Sequence, residues 1–169
     1  ARNQNTEVKI EPNYTLRGSL FKPELIELSK KAQDEFQKTV EVQCLGLADT
    51  FGGKICAALD RQHPRDLFDV KKLLENEGVN KDIKDSFILY LLSHSRPVDE
   101  ILSPNLKEIT KEYEKEFVSM AQIDASLSDL IIARLELIKT IHQSLTDGDK
   151  NFLKSFVERN PNAWAMRQT

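Results

Sequence analysis

The sequence predicts an α+β fold that is mainly helical, with a small two-stranded sheet followed by a helical bundle. Residues 6–17 and residues 38–45 each alternate apolar and polar side chains, and a period of two is typical of a strand. After Gly78 the apolar residues recur three and four positions apart, which is typical of amphipathic helices. An isolated pair of strands is only marginally stable, so we expect helices to cover this sheet or further strands to complete it.

The composition indicates a protein of one domain, or one domain and part of another. Of the 169 residues, 40% are hydrophobic and 30% are charged, which is ordinary for a soluble chain with a core. The net charge of −3 gives no general attraction to nucleic acid, although it is compatible with a local basic cleft. The longest apolar run, residues 87–92, is far shorter than the about 20 residues that span a bilayer. We therefore expect no membrane contact.

The cysteine content and the start of the chain predict its cellular compartment and its origin. Cys44 and Cys56 are too few for a disulfide framework, which favours a reducing compartment, and the polar start of the chain does not resemble a signal peptide. We therefore expect a cytoplasmic protein. Because the chain has no initiator methionine, we also expect it to be cut from a longer protein.

The first predicted strand carries the first acidic candidate. Within residues 6–17, Val8 lies on the apolar face and Glu11 on the charged face. Pro12 has no N–H to donate, so this strand should lie at a sheet edge or bulge there. Pro23 suits the first turn of a helix, and we predict one over residues 23–36. The second strand follows this helix, and we expect the two strands to pair with each other.

Residues 47–70 are predicted to form a helix, a kink and a second helix. Phe51, Ile55 and Leu59 recur every four residues and give the first helix an inward stripe. Pro64 ends that helix and suits the first turn of the next one. A reversal at this proline would converge four charged side chains on one cleft, namely those of Lys54, Arg61, Arg65 and Asp66.

Other residues of this region have structural interpretations. Gly52 and Gly53 precede a lysine, but the spacing is not that of a phosphate-binding loop, and we interpret them as allowing close packing against the sheet. Cys56 is expected to be a small buried apolar residue. Tyr90 and Trp164 are expected to be packing residues, and the three histidines have no spacing that resembles a zinc site.

The rest of the chain predicts helices. Asn80 is expected to cap a helix that runs to about Ser95, and a charged helix is expected over residues 106–120. Ser126 or Ser128 is expected to open a third helix. Thr146 is expected to cap the last helix, which ends at 160–161. We accordingly divide the chain into a region of strands and a helix–kink–helix, residues 1–78, and a helical C-terminal region, residues 79–169.

The central segment carries a family resemblance. The string GGKICAALDRQHPRDLFDVKKLLENEG, preceded by LAD, resembles the second half of the AbiEii/AbiGii nucleotidyltransferase toxins of type IV toxin–antitoxin and phage-abortive systems. The resemblance covers residues 8–156 and is most specific over residues 47–70. It implies a remnant of a nucleotidyltransferase fold, in which a small mixed sheet with helices precedes a helical domain. The family's catalytic head is a Gly-Ser turn followed by an Asp-x-Asp strand, and Gly18–Ser19 is followed by no such strand.

The resemblance assigns roles to five residues. Lys54 matches the family lysine after the second strand, and this implies contact with nucleotide phosphates. Asp66 matches the aspartate of the Arg-Asp-x-x-Asp motif, whose other members are Arg65 and Asp69. Glu11 matches a third acidic residue, and this implies a catalytic and metal-binding carboxylate. Lys54, Asp66 and Glu11 are thus the candidate catalytic residues, and Lys54, Arg65 and Asp69 the candidate nucleotide-binding residues.

The same resemblance implies the chemistry of a longer parent protein. There, NTP and Mg²⁺ would bind between the missing acidic head and the Lys54–Asp66 region. An acceptor hydroxyl would attack the α-phosphate, and metal ions would offset charge on the oxygens. An RNA acceptor and an antitoxin are further candidate partners. The present chain is expected to start after the acidic head, to bind no cofactor tightly and to transfer no nucleotide by itself.

Each site residue also has a purely structural interpretation. Arg65 and Asp69 are spaced for an ion pair on one helix, and Asp66 lies in a first helical turn, where a carboxylate is favourable. Lys54 alone is typical of a surface lysine, and Glu11 alone of a solvated strand residue. The alternative function is therefore a non-catalytic module in which the helical half binds a partner or regulates one.

Overall fold

The structure is a computed structural model that describes residues 2–3, 6–7, 18–118 and 125–159. Two short strands, β1 (Arg2–Asn3) and β2 (Thr6–Glu7), form one antiparallel pair, and β3 (Glu24–Glu27) and β4 (Glu41–Cys44) form another. The eight α-helices of the described residues are α1 (Lys30–Phe36), α2 (Leu47–Arg61), α3 (Pro64–Asn76), α4 (Lys81–Leu92), α5 (Val98–Leu102), α6 (Thr110–Glu112), α7 (Leu127–Ser144) and α8 (Asp147–Val157). The predicted fold class, mainly α with a small sheet, is confirmed.

The β3–β4 hairpin corrects two predictions about the sheet. The second predicted strand exists as β4, but its partner is β3, which lies inside the helix predicted over residues 23–36. The helix starts later because Ser29 caps it, with its hydroxyl accepting from the N–H of Ala32. Thr6–Glu7 pairs with Arg2–Asn3 instead of with β4, so the expected pairing of the two predicted strands is wrong there. Residues 8–17, Glu11 among them, lie outside the described residues.

Apolar side chains remain exposed on the β3–β4 hairpin. Leu25 and Ile26 of β3 are 68% and 47% exposed, and Val42 of β4 is 54% exposed. Neighbouring residues of a strand point to opposite faces, so neither face of the hairpin is fully covered by the described residues. The two-stranded unit therefore needs further contacts to be stable.

The core lies between α2, α3, α4 and α7. Helix α2 packs on α4 and on α3, and α3 packs on α7. The fully buried side chains at these contacts are large and aliphatic or aromatic, and they include Ile55, Leu59, Leu67, Leu73, Phe87, Leu91, Leu130 and Leu137. No helix of the described residues has the length and apolar character needed to cross a membrane.

Gly52 sets how closely α2 and α4 approach each other. A Cβ at this position would lie 2.7 Å from the backbone nitrogen of Phe87 and 2.7 Å from Cβ of Ser86. Gly53, one residue later, has 3.9 Å to the Tyr90 ring, which is an ordinary contact. The predicted role of the glycines in close packing thus holds for Gly52, but the partner is helix α4 and not the sheet.

The later helices follow the predicted capping residues, but two of their boundaries differ from the prediction. Asn80 caps α4, Ser126 caps α7 and Thr146 caps α8, as expected. The charged helix predicted over residues 106–120 begins only at Thr110, and it continues as a π-helical turn, Tyr113–Phe117. The last helix ends at Val157, earlier than the predicted end at 160–161, because residues 158–159 already form a turn. Helix α5 had no sequence signal that we recognised.

A buried ion pair joins α4 to α8. Nζ of Lys84 donates to Oδ2 of Asp149 at 2.6 Å, and both side chains are almost fully buried. Asp149 also accepts from the hydroxyl and the N–H of Thr146, which makes it part of the capping box of α8. Buried charges are stable only when they are paired and hydrogen-bonded, and this carboxylate meets both conditions.

Candidate functional site

The chain reverses direction at Gln62, and this turn brings α3 beside α2. Gln62 has a left-handed backbone with φ of 55°, and His63 then caps α3 with Pro64 in its first turn. The predicted helix–kink–helix is confirmed. The side chain of Gln62 is buried, donates to the Asn105 carbonyl at 2.8 Å, and accepts from two donors on other segments, the Lys107 N–H and Arg134 Nη1.

Two ion pairs cross between α2 and α3. Lys54 Nζ lies 2.8 Å from Oδ2 of Asp69, and Arg61 Nη2 lies 2.8 Å from Oδ1 of Asp66. Lys54 and Arg61 are seven residues apart on α2, and Asp66 and Asp69 are three apart on α3, so each pair shares a helix face. The reversal therefore aligns two cations with two carboxylates along one charged face.

The partners within this face differ from the expected ones. Lys54 pairs with Asp69 and not with Asp66, although both aspartates lie on the same side of α3. The Asp66 side chain is 16% exposed against 40% for Asp69. Its Oδ2 is buried and has no hydrogen-bond partner among the described residues. Asp66 is thus the more enclosed of the two carboxylates.

The predicted ion pair between Arg65 and Asp69 is not the contact that forms. Arg65 Nη2 lies 4.0 Å from Oε2 of Glu116 in the π-helical turn, and its Nε donates to His63 Nδ1 at 3.5 Å. His63 Nε2 is 3.0 Å from the same Glu116 oxygen. A cavity of about 430 Å³ lies here, lined by Arg61, His63, Arg65 and Asp66. It presents two exposed guanidinium groups to an anion.

A second cavity lies between α2 and α4. It measures about 370 Å³, and we call it the α2–α4 cavity. It has small residues on the α2 side, an aromatic residue on the α4 side and polar groups at one end. Its lining consists of Gly18, Gly53, Cys56, Ala57, Asp60, Arg61, Leu89, Tyr90, Ser93 and His94. Arg61 lines both this cavity and the one beside Arg65, so the two cavities adjoin.

Tyr90 packs against the core, as predicted from the sequence. Its hydroxyl is buried and has no hydrogen-bond partner among the described residues. Burial raises the pKa of this phenol, and the charge of Asp49 raises it further. At neutral pH the hydroxyl is therefore protonated and able to donate.

Asp49 positions the segment that precedes β3. Its carboxylate is buried and accepts from the N–H groups of Leu20 and Phe21 at 3.0 and 2.9 Å, and from the Ser86 hydroxyl at 3.1 Å. This fixes the segment against α2 and α4. The sequence does not indicate a special role for Asp49, because an acidic residue in a first helical turn is common and its partners lie far away in the chain.

Cys56 behaves as the buried apolar residue predicted from the sequence. Burial raises the pKa of its thiol to about 12, with a further contribution from the charge of Asp60. Because the thiolate is the reactive form, we expect iodoacetamide at pH 8 to alkylate the half-buried Cys44 and to leave Cys56 unmodified until the chain unfolds. Peptide mass spectrometry before and after denaturation measures this. Equal labelling of both thiols in the native chain would contradict it.

No group of three or more metal-ligating side chains exists among the described residues. Asp66 and Asp69 are each paired with a cation, and such pairs do not form a magnesium site on their own. Glu11, the predicted metal ligand, is not among the residues that the structure describes.

The comparisons with known proteins give the family. A family model described as the nucleotidyl transferase AbiEii toxin of a type IV toxin–antitoxin system matches residues 1–165. The chain belongs to the AbiEii toxin family. The comparison with curated proteins and the comparison with solved structures found no match. Membership of the AbiEii family implies a nucleotide substrate and an antitoxin partner.

One Asp-x-Asp string of this AbiEii-family chain has a structural role. Asp147, Gly148 and Asp149 form the first turn of α8, not a strand, and Asp149 bonds Lys84 and Thr146. This string therefore does not supply the catalytic carboxylate pair that the resemblance implies.

Proposed function

We propose that this chain is the C-terminal part of a nucleotidyltransferase-like toxin and that Lys54 contacts the phosphates of an NTP. The observation that carries the proposal is the Lys54–Asp69 pair, which lies on one face with the Arg61–Asp66 pair. A lysine ammonium has three donors, so one carboxylate leaves capacity for phosphate oxygens. At 40% exposure the Lys54 side chain is also accessible to a ligand.

The other candidate residues have distinct proposed roles. Arg65 is exposed, and its guanidinium offers a second contact to phosphate. Asp69 holds the ammonium of Lys54 in position across the helix pair. Asp66 is proposed to hold the guanidinium of Arg61 in position in the same way. Glu11 remains the proposed catalytic and metal-binding carboxylate.

The chain alone is proposed to transfer no nucleotide. Nucleotidyltransferases typically use Mg²⁺ with NTP, and the described residues do not form a site that fits the metal. The acidic residues that hold it would belong to the Asp-x-Asp strand of a longer protein. The exposed apolar residues of the β3–β4 hairpin support this, because additional strands would cover them. The acceptor is proposed to be RNA, and the place of action the cytoplasm.

The test is NTP binding to the chain, measured by isothermal titration calorimetry with Mg²⁺ present. We expect Lys54→Ala to weaken binding about tenfold, because a charge-assisted contact to phosphate is lost. The melting temperature should barely change, because an exposed ion pair contributes at most about 1 kcal/mol.

Lys72→Ala is a matched control. Lys72 is 41% exposed, its Nζ lies 2.9 Å from Glu75 and 5.7 Å from the Phe68 ring centroid. The corresponding values for Lys54 are 40%, 2.8 Å to Asp69 and 5.9 Å to the Phe51 ring centroid. The two lysines thus differ chiefly in location. Equal effects of the two substitutions on NTP affinity would refute the phosphate role, and in bacteria expressing the longer protein only Lys54→Ala should abolish toxicity.

Partner binding without catalysis is the second candidate function. The observation that favours it is on α7, where Ile132 and Leu135 are 60% and 49% exposed and lie one turn apart. In that case the substitution of Lys54 would leave both NTP affinity and toxicity unchanged.

A further inference from the structure

An apolar cavity lies between the end of α8 and the segment that joins α4 to α5. It measures about 560 Å³, within the roughly 300–1,000 Å³ that is usual for ligand pockets, and we call it the α4–α8 cavity. Leu92 and Val98 line it from α4 and α5, and both are partly buried against the core. Phe156 and Val157 line it from α8 and are 46% and 60% exposed. The described residues therefore leave an apolar surface here without a cover.

The start of α8 is fixed in the core, whereas the apolar residues at its end are exposed. In the first turn the Asp149 carboxylate bonds Lys84 of α4, and the Phe152 side chain is 1% exposed. One turn later the Phe156 ring contacts the Phe152 ring, with the ring centroids 6.4 Å apart. The core thus holds α8 in a position from which its last turn presents an apolar surface to the cavity.

The sequence continues directly from the rim of this cavity. Arg159 lines the cavity and has a left-handed backbone with φ of 56°, and such a residue after a helix turns the chain away from the helix axis. The ten residues that follow, 160–169, lie outside the described residues. They include the apolar run 163–166 with Trp164, for which the sequence predicts a packing role. Five residues span up to about 18 Å when extended, so Trp164 can reach a cavity that begins at Arg159.

The chemistry of this segment matches that of the cavity. A tryptophan side chain buries a large apolar area, and methionine, also present in the run, adapts to irregular apolar gaps. Arg96 at the cavity is already neutralised by Asp60 at 2.6 Å and by Glu100 at 3.0 Å. Asp99, in contrast, is exposed and forms no ion pair with another described residue. The one charged side chain of the segment is that of Arg167, which complements this carboxylate.

We propose that residues 160–169 fold back on the α4–α8 cavity and that the Trp164 side chain fills it. A link of five residues gives an effective concentration of order mM, so the contact persists even when it is individually weak. It covers the exposed apolar end of α8 and brings Arg167 near Asp99. The cavity is then an internal contact of the chain and not a surface for another protein. This inference does not depend on the proposed function.

The experiment follows the fluorescence of Trp164, because the chain has no other tryptophan. We expect the emission of the full chain to be blue-shifted relative to the free peptide of residues 160–169, and acrylamide to quench it several-fold less, because the indole is removed from water. Val157→Lys places a charge in the cavity at a 60% exposed position. It should return both the emission and the quenching to the values of the free peptide.

Ile132→Lys on α7 is the matched control. Ile132 is also 60% exposed on a helix, but it does not line the cavity, so both fluorescence readouts should stay unchanged. Circular dichroism of each variant establishes that it is folded.

Trp164→Ala gives an independent test, because that chain has no tryptophan of its own. Titration of this variant with the free peptide of residues 160–169 then reports the peptide alone. The peptide emission should shift to the blue, and it should not shift with a chain that carries both Trp164→Ala and Val157→Lys.

Three outcomes would overturn the proposal. A wild-type emission equal to that of the free peptide would show that Trp164 is in water. A blue shift that survives Val157→Lys would show that Trp164 is buried elsewhere. A blue shift that is lost on dilution would show that the cavity holds the segment of a second copy of the chain.

Discussion

Gly52→Ala is expected to destabilise the chain by about 2 kcal/mol and to lower its melting temperature by about 5 °C. The added Cβ would lie 2.7 Å from the backbone nitrogen of Phe87 and 2.8 Å from the backbone carbon of Ser86, and these α4 atoms cannot rotate away as a side chain would. Overpacking of this kind costs about 1–3 kcal/mol, and it outweighs the roughly 1 kcal/mol that alanine gains over glycine in a helix. Thermal and urea unfolding followed by circular dichroism measure the change.

Gly53→Ala is the matched control for this experiment. Its Cβ would make an ordinary contact, 3.9 Å from the Tyr90 ring, so only the gain in helix propensity remains. We expect stability to rise by up to about 1 kcal/mol. Two glycines adjacent in sequence should thus respond with opposite signs. If both substitutions changed stability in the same direction, the close approach of α2 to α4 would not be the reason for Gly52.

Lys84→Met is expected to lower the free energy of unfolding by about 3 kcal/mol, which is more than the loss expected for Gly52→Ala. It removes the cation that faces the buried carboxylate of Asp149, and breaking one side of a buried pair costs about 3–5 kcal/mol. The Thr146 bonds to Asp149 persist, which favours the lower end of this range. Lys81→Met on the same helix is the control, because Lys81 is 80% exposed and its pair with Asp85 contributes little.

The pH dependence of stability gives a second readout for Lys84. Burial raises the pKa of Asp149, but the hydrogen bonds from Lys84 and Thr146 lower it, and the net shift is downward from 3.8. A lowered folded-state pKa stabilises the chain above the unfolded value, and this contribution is lost as pH falls below about 4. In Lys84→Met the loss between pH 5 and pH 3 should be smaller than in the wild type, by roughly the contribution of this pair. An identical acid profile for both would show that the pair does not form.

The helical part of the fold was predictable because its signals are local. Asn80, Ser126 and Thr146 each bond an N–H three residues ahead, so the sequence alone identifies them as caps. The sheet was predicted less well. Residues 24–27 follow a proline and contain two charged residues, and their pairing with residues 41–44 depends on a register that spacing does not reveal.

The candidate site was predictable in its residues but not in its contacts. Lys54, Asp66 and Asp69 could be named from their spacing and the family resemblance, yet nothing in the sequence indicated that Lys54 pairs with Asp69 and Arg61 with Asp66. The Gln62 side chain bonds residues 43 to 72 positions away, and Asp49 bonds Ser86 37 positions away. Contacts of such separation leave no periodic pattern in a sequence.

The two ion pairs of the charged face also join residues that are closer together in sequence than the residues of the buried α4–α8 pair. They join residues 15 and 5 positions apart, whereas Lys84 and Asp149 are 65 apart. Loop-closure entropy grows as about (3/2)RT ln n, so the longer closure costs roughly 1–2 kcal/mol more. Low contact order favours early formation during folding. Residues 54–69 are therefore a unit whose ion pairs can close early, and whose turn at Gln62 is then fixed by the later contacts with Asn105, Lys107 and Arg134.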